Sequence, residues 1–179
     1  MDKIETRERS STIIISGHAL PASSVGENCE SVASSILSCS LRIVTSERDI
    51  LAAHRLGPKP ANQSVDRRSL FVKLRDTELA RDIIKSSKTI KVPGLYVSEN
   101  LTPIRHSILR VLRKTKRSHP NIVSGCGSAS GRVFVWVKSP GSQTNQSRKL
   151  FVNNKDELHK YCDEILQSHL NVIEPNWSF

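Results

Sequence analysis

Six basic side chains, Arg105, Arg110, Arg113, Lys114, Lys116 and Arg117, follow one another between Arg105 and Arg117, and no Asp or Glu falls among them. Guanidinium and ammonium groups pair with phosphate oxygens and displace the small cations that surround a polyanion. With successive residues about 100° apart on a helix, Ile104, Ile108, Val111, Leu112 and Thr115 share one arc, and the six cations fill the opposite half. An ordinary solvated helix face mixes charge signs. This one does not, and its self-repulsion costs stability. The segment therefore reads as a phosphate-binding surface. Engaging four to six phosphates of a single strand would give a log K against log salt slope near about −3 to −4.

Two other segments offer rings beside cations. In Leu70 to Arg75 the alternation turns Leu70, Val72 and Leu74 inward and leaves Phe71, Lys73 and Arg75 on the other side. A ring for a base and charges for flanking phosphates are what a stacking platform needs, although Phe71 can equally be covered by the rest of the chain. Arg132 to Lys138 also alternates, with three Val on one side and Arg132, Phe134, Trp136 and Lys138 on the other. Arg132, Trp136 and Lys138 are secondary binding candidates. The two rings can stack bases, but rings in a small domain more often supply its core, and that reading is preferred.

Catalytic chemistry finds little purchase. Gly125 to Gly131 is rich in Gly and Ser, but no Lys follows in the phosphate-loop position and no helix opens after it, so a hairpin loop is expected. His18 follows a turn glycine, and His54 lies on an ordinary strand. No Ser or Cys has a placeable base and no paired carboxylates share a face, so neither a hydrolase nor any other enzyme is proposed by the residues. Cys29, Cys39, Cys126 and Cys162 form no C-x-x-C pair and have no His at zinc-ligand spacing. Neither metal nor cofactor is expected. The thiols read as reduced, with Cys29 and Cys162 on helix faces. No apolar run reaches the roughly 18 residues of a membrane helix, and the start lacks a secretory core. An intracellular place, cytoplasmic or nuclear, is expected, with the Asn-x-Ser/Thr sites at Asn62, Asn100, Asn145 and Asn176 arising by chance.

The chain has 179 residues, with 27 Lys plus Arg against 17 Asp plus Glu, a net charge of +10. From Asp66 to Arg117 there are 14 basic and 5 acidic side chains, so that stretch alone carries +9. Localised positive charge of this kind points to polyanionic partners.

The elements that must position these residues follow from periodicity. Thr12 to Gly17 reads as a strand and turn, residues 27–41 as an amphipathic helix, and Ile50 to Leu56 and Leu70 to Arg75 as strands. Asp76 or Thr77 caps a helix carrying Leu79, Ala80, Ile83 and Ile84, and Leu95 to Val97 makes a fourth strand. The order β-α-β-β-α-β over residues 11–100 is the ferredoxin-like arrangement of RRM domains. After it, Thr102 and Pro103 start the basic helix, which runs to about Ser118. A strand follows at Arg132 to Lys138, then a loop to Ser147 and a strand at Lys149 to Val152. Asn154 and Glu157 form a capping box for a helix that turns Leu158, Tyr161, Ile165 and Leu166 inward. The expected fold class is therefore α/β (α+β). It comprises a polar segment at 1–10, an RRM-like domain at 11–100, a small α/β domain at 101–170 and a tail at 171–179.

Ala53-His-Arg-Leu-Gly57, Leu70-Phe-Val-Lys-Leu74 and Leu95-Tyr-Val-Ser-Glu-Asn-Leu-Thr-Pro103 together resemble the first-open-reading-frame proteins of LINE-type non-LTR retrotransposons. They are also similar to proteins with the carboxy-terminal domain of the baculoviral FP (few polyhedra) protein, as are Gly131-Arg-Val-Phe-Val135 and Arg148 to Leu158. The likeness spans roughly residues 11–166. It implies an RRM and a carboxy-terminal domain that together clasp single-stranded RNA, in a non-catalytic RNA-packaging chaperone of ribonucleoprotein particles. On that pattern Arg105, Arg110 and Arg113 match the basic helix opening the second domain, and Lys73 and Arg75 the cationic strand. The first strand offers Ile13, Ile14 and Ile15 where stacking RRMs carry an aromatic, so base-specific readout is not expected. Family members carry an upstream coiled coil for self-association; here about ten polar residues precede the first strand and no heptads occur, which leaves self-association open. Single-stranded RNA or DNA is the expected partner, and an FP-type protein-interaction module in viral or host assembly is the alternative.

Overall fold

A computed structural model describes residues 2–43, 47–59, 66–120, 123–138 and 147–169. The protein is a mixed α+β chain with two antiparallel sheets, and it divides into compact units at residues 1–100 and 101–179.

The first unit holds α1 (Asp2–Arg9), β1 (Thr12–Ser16), α2 (Cys29–Ser35, prolonged by a π turn at Ile36–Ser40), β2 (Ile50–Arg55), β3 (Leu70–Leu74), α3 (Thr77–Ile90) and β4 (Tyr96–Glu99). Strand order is β2-β3-β1-β4, all antiparallel. From β1 onward the succession is β-α-β-β-α-β, as periodicity requires. Alternation sends Ile13, Ile15, Leu70, Val72 and Leu74 into the core with Leu37 and Ile83 from the helices. Asn28 caps α2 through a hydrogen bond from the Ser31 backbone N–H, and Asp76 caps α3 through one from Leu79. Gly17 has φ +126°, and a Cβ there would stand 2.0 Å from the Gly94 carbonyl oxygen, so the close approach of β1 to the turn before β4 requires glycine.

The polar start at 1–10 is not featureless. Residues 2–9 form α1, braced by a Glu5–Arg9 ion pair of 2.9 Å one turn apart. Its end is fastened by Arg9, which donates to Asn100 Oδ1 at 3.0 Å. Without an apolar stripe this helix leaves no periodic trace in the sequence.

The second unit holds α4 (Pro103–Ser118), β5 (Val123–Ala129), β6 (Arg132–Lys138), β7 (Ser147–Val152) and α5 (Lys155–His169), with sheet order β5-β6-β7. The Gly/Ser stretch expected as a loop is instead strand β5, paired with β6 from Val123 to Ala129. Its turn is only Ser130 and Gly131, both at positive φ (52° and 73°), as a tight two-residue hairpin turn demands. Val133, Val135, Val137 and Val152 face Ile108, Leu109, Leu112 and Leu158 from the two helices. The Glu157 backbone N–H donates to Asn154 Oδ1 at 2.7 Å, while the Glu157 carboxylate accepts from Asn153 N–H, one residue before the cap. Leu158 is buried and Tyr161 packs beside the core. The Cys162, Ile165 and Leu166 side chains, most of the 139–147 loop and the 171–179 tail lie outside the described residues.

The most demanding polar contact of the first unit is Arg55 with Glu27, whose side chains are 4% and 8% exposed. The guanidinium donates to both carboxylate oxygens and to the carbonyls of Arg68 and Pro21, so both charges of the pair have partners. Hydrogen bonding from Arg55 holds the Glu27 carboxyl below its ordinary value of 4.5. Arg55→Ala strands that carboxylate, and urea denaturation is expected to show a loss of about 3–5 kcal/mol. Because the folded-state value is depressed, this stabilisation is complete above about pH 4.5 and fades as pH falls through the folded value. An acid titration of the urea midpoint should be steeper in the unsubstituted protein than in Arg55→Ala/Glu27→Gln.

Candidate nucleic-acid interface

Helix α4 begins where Thr102 Oγ1 accepts from the Arg105 backbone N–H and Pro103 takes the first helical position. Its inward residues are Arg105, Ile108, Leu109 and Leu112, while Ile104 is 45% exposed. The sequence arc centred on Ile104, Ile108 and Thr115 is thus turned by roughly 60°. Leu109 and Arg105, both outside that arc, are the inward residues that turn it. The Arg105 side chain is buried and its guanidinium donates to the Gly131 carbonyl at the β5–β6 turn, so a long apolar stem packs where periodicity counts a charge. Arg105 is a structural residue and leaves the candidate binding set.

The other five cations remain in solvent. Arg110, Arg113, Lys114, Lys116 and Arg117 are exposed, and among the described residues none of them forms an ion pair. Arg110, Arg113, Lys114 and Arg117 line one shallow depression together with His106, within an arc of about 100°. His106 was not singled out by charge, although its spacing of four from Arg110 places it on this face. Lys116 lies toward the sheet: with Arg113 it acts on Cys126, whose thiol is nevertheless pushed up by burial.

The candidates on β3 fare differently. Phe71 is half-buried and stacks on His54 of β2, centroids 4.6 Å apart and planes inclined by 26°, as the His54–Phe71 pairing allows. Lys73 donates its Nζ to the Glu8 carbonyl at 3.1 Å, at the end of α1. Arg75 follows the last residue of β3 and is 62% exposed, with Asp49 at 3.2 Å and Asp76 at 3.9 Å. Ion pairs this exposed contribute little and yield easily, but both cations have partners, whereas the five outer cations of α4 have no ion pair among the described residues.

On β6 the preferred core reading of the rings is overturned. The valines are the core, and Arg132, Phe134, Trp136 and Lys138 point away from it, with Trp136 39% exposed. Lys149 and Phe151 of β7 join them, residues that pattern reading passed over because the β6–β7 register was not fixed.

No protein-family model and no curated protein sequence matches this chain. Among the described residues no cluster of His, Cys, Asp and Glu suits a metal, and no helix is long and apolar enough to cross a membrane.

The two kinds of arginine on α4 should part in stability. Arg105→Ala is expected to lower the unfolding free energy by about 1–3 kcal/mol by orphaning a backbone carbonyl and emptying packed space. Arg110→Ala and Arg113→Ala should stay within about 0.5 kcal/mol of the parent. Urea denaturation of the three variants checks this.

Proposed function

We propose that this protein binds single-stranded nucleic acid, RNA foremost, along the phosphate backbone, without catalysing a reaction on it. The observation that carries the reading is the row of exposed, un-neutralised cations on α4. A helix face bearing Arg110, Arg113, Lys114 and Arg117 with no carboxylate holds its charges apart only against mutual repulsion. A polyphosphate strand relieves that repulsion and releases counterions as it binds. Arginine forks also hold phosphate oxygens in pairs, which fixes the strand on the surface.

The β-α-β-β-α-β order of the first unit supports an RRM-like scaffold, and the likeness to LINE-type first-open-reading-frame proteins supports RNA packaging in a ribonucleoprotein particle. Sequence preference is expected to be weak, because phosphate contacts position a strand without reading it. Ile14 stands on the open side of β1, paired with Phe71 and Ser98, so β1 brings no ring there.

Fluorescence anisotropy with single-stranded and duplex RNA and DNA across a salt series tests the proposal. Single strands should bind with a log K slope near about −3 to −4. Arg110→Glu/Arg113→Glu/Arg117→Glu should weaken single-strand binding at least about 10-fold at physiological salt and flatten the salt slope, while circular dichroism and melting stay unchanged. Undiminished RNA binding by this variant, with a protein partner lost, would instead identify an FP-type interaction module.

A further inference from the structure

The outer side of the second sheet carries side chains that the core does not use. With the β6 valines turned to the helices, Phe134 and Trp136 face outward, paired across the sheet with Phe151 and Lys149. On the other neighbouring strand their partners are Gly127 and Gly125. A Cβ on Gly127 would stand 3.1 Å from Phe134 Cζ and one on Gly125 3.5 Å from Trp136 Cδ1, so the rings lie over bare backbone. Phe134 meets Phe151 edge-on, centroids 6.4 Å apart.

Cations sit on these rings. Lys149 Nζ lies 4.0 Å from the Phe134 centroid, 5.0 Å from that of Phe151 and 5.8 Å from that of Trp136. The Arg132 guanidinium lies 5.5 Å from the Phe151 centroid. No strand residue on this side carries a carboxylate. Trp136 and Phe151 remain 39% and 38% exposed.

This combination selects its occupant. An apolar protein surface would cover the rings but bury ammonium and guanidinium groups without partners, which is strongly unfavourable. An acidic peptide would answer the charges and leave the rings wet. A duplex keeps its bases stacked on one another. Unpaired nucleotides bring aromatic faces and phosphates together, and answer both halves of the surface.

We propose that this side of the β5-β6-β7 sheet is a second single-strand site, where unpaired bases stack on Trp136 and Phe151 while Lys149 and Arg132 swing from the rings to flanking phosphates. The site rests on the reading of the chain as a nucleic-acid binder but uses none of the α4 residues. The full chain has two tryptophans, and Trp177→Phe leaves Trp136 as its reporter. Single-stranded oligouridylate should quench Trp136 emission, and inorganic polyphosphate, which has no bases, should not. Trp136→Ala/Phe151→Ala removes exposed rings and no core, and should weaken oligouridylate binding roughly 10- to 100-fold. Polyphosphate affinity and the salt slope should stay unchanged.

Absent quenching, or equal weakening toward both polyanions, would overturn the site. Loss of oligouridylate binding in the ring variant but not in the α4 charge reversal would refute the helix reading and leave this one standing. The opposite pattern refutes the ring site alone, and no binding of either polyanion refutes both. Retained oligouridylate binding with a change of mass by light scattering would assign the surface to a second copy of the chain, and also overturns the proposal.

Discussion

The roll of α4 about its own axis decides which of its cations meet water, and that roll is set by Arg105, Ile108, Leu109 and Leu112 against the valine side of the sheet. Burying three aliphatic side chains contributes about 1.5–3 kcal/mol each. Like-charge neighbours a turn apart cost only about 0.2–0.5 kcal/mol per pair. Packing therefore wins, and the helix tolerates an outer face of one sign. The Arg105 bond to the Gly131 carbonyl ties the helix start to the β5–β6 turn, so the geometry of a hairpin fixes the presentation of a charged surface.

Net charge and available charge are different quantities in this molecule. Several cations between Asp66 and Arg117 are already engaged within the fold. Arg68 forks onto Asp66 at 2.9–3.1 Å, Arg75 leans on Asp49 and Lys73 reaches the end of α1. The Asp66 carboxyl is held below its ordinary value by the Arg68 hydrogen bonds. For Arg110, Arg113, Lys114, Lys116 and Arg117 of α4 no such partner is supplied among the described residues, and this difference singles out the helix more sharply than the charge sum does.

Where side chains alternate with a strict period, the sequence was legible: Leu70, Val72 and Leu74 on β3, the valines of β6, and the Thr102 and Pro103 start of α4 read directly from residue types. Three features escaped it for physical reasons. Helix α1 has no apolar stripe, since charge pairing and side-chain bonds hold it in place. Strand β5 is built of Gly and Ser, residues of low strand propensity, because the bulk filling its outer side comes from Phe134 and Trp136 next door. Arg105 looks like surface by type and is core by stem. Of the candidate site, the α4 cations were readable by spacing, whereas Lys149, Phe151 and His54 become visible only once strand register brings them beside other rings.

The α4 cations and the ring side of the sheet look in opposite directions, because the helix lies on the valines and the rings on the reverse. One helix layer and one sheet layer separate them by roughly 20 Å. That distance is about twice the Debye length at physiological salt, so polyanions held on the two surfaces would scarcely repel one another. A ligand touching both must bend around an edge strand, β5 or β7, whereas two separate ligands can be carried back to back. If both proposed surfaces bind, the second unit is a coupler that would cross-link two distant stretches of a polymer through one folded chain.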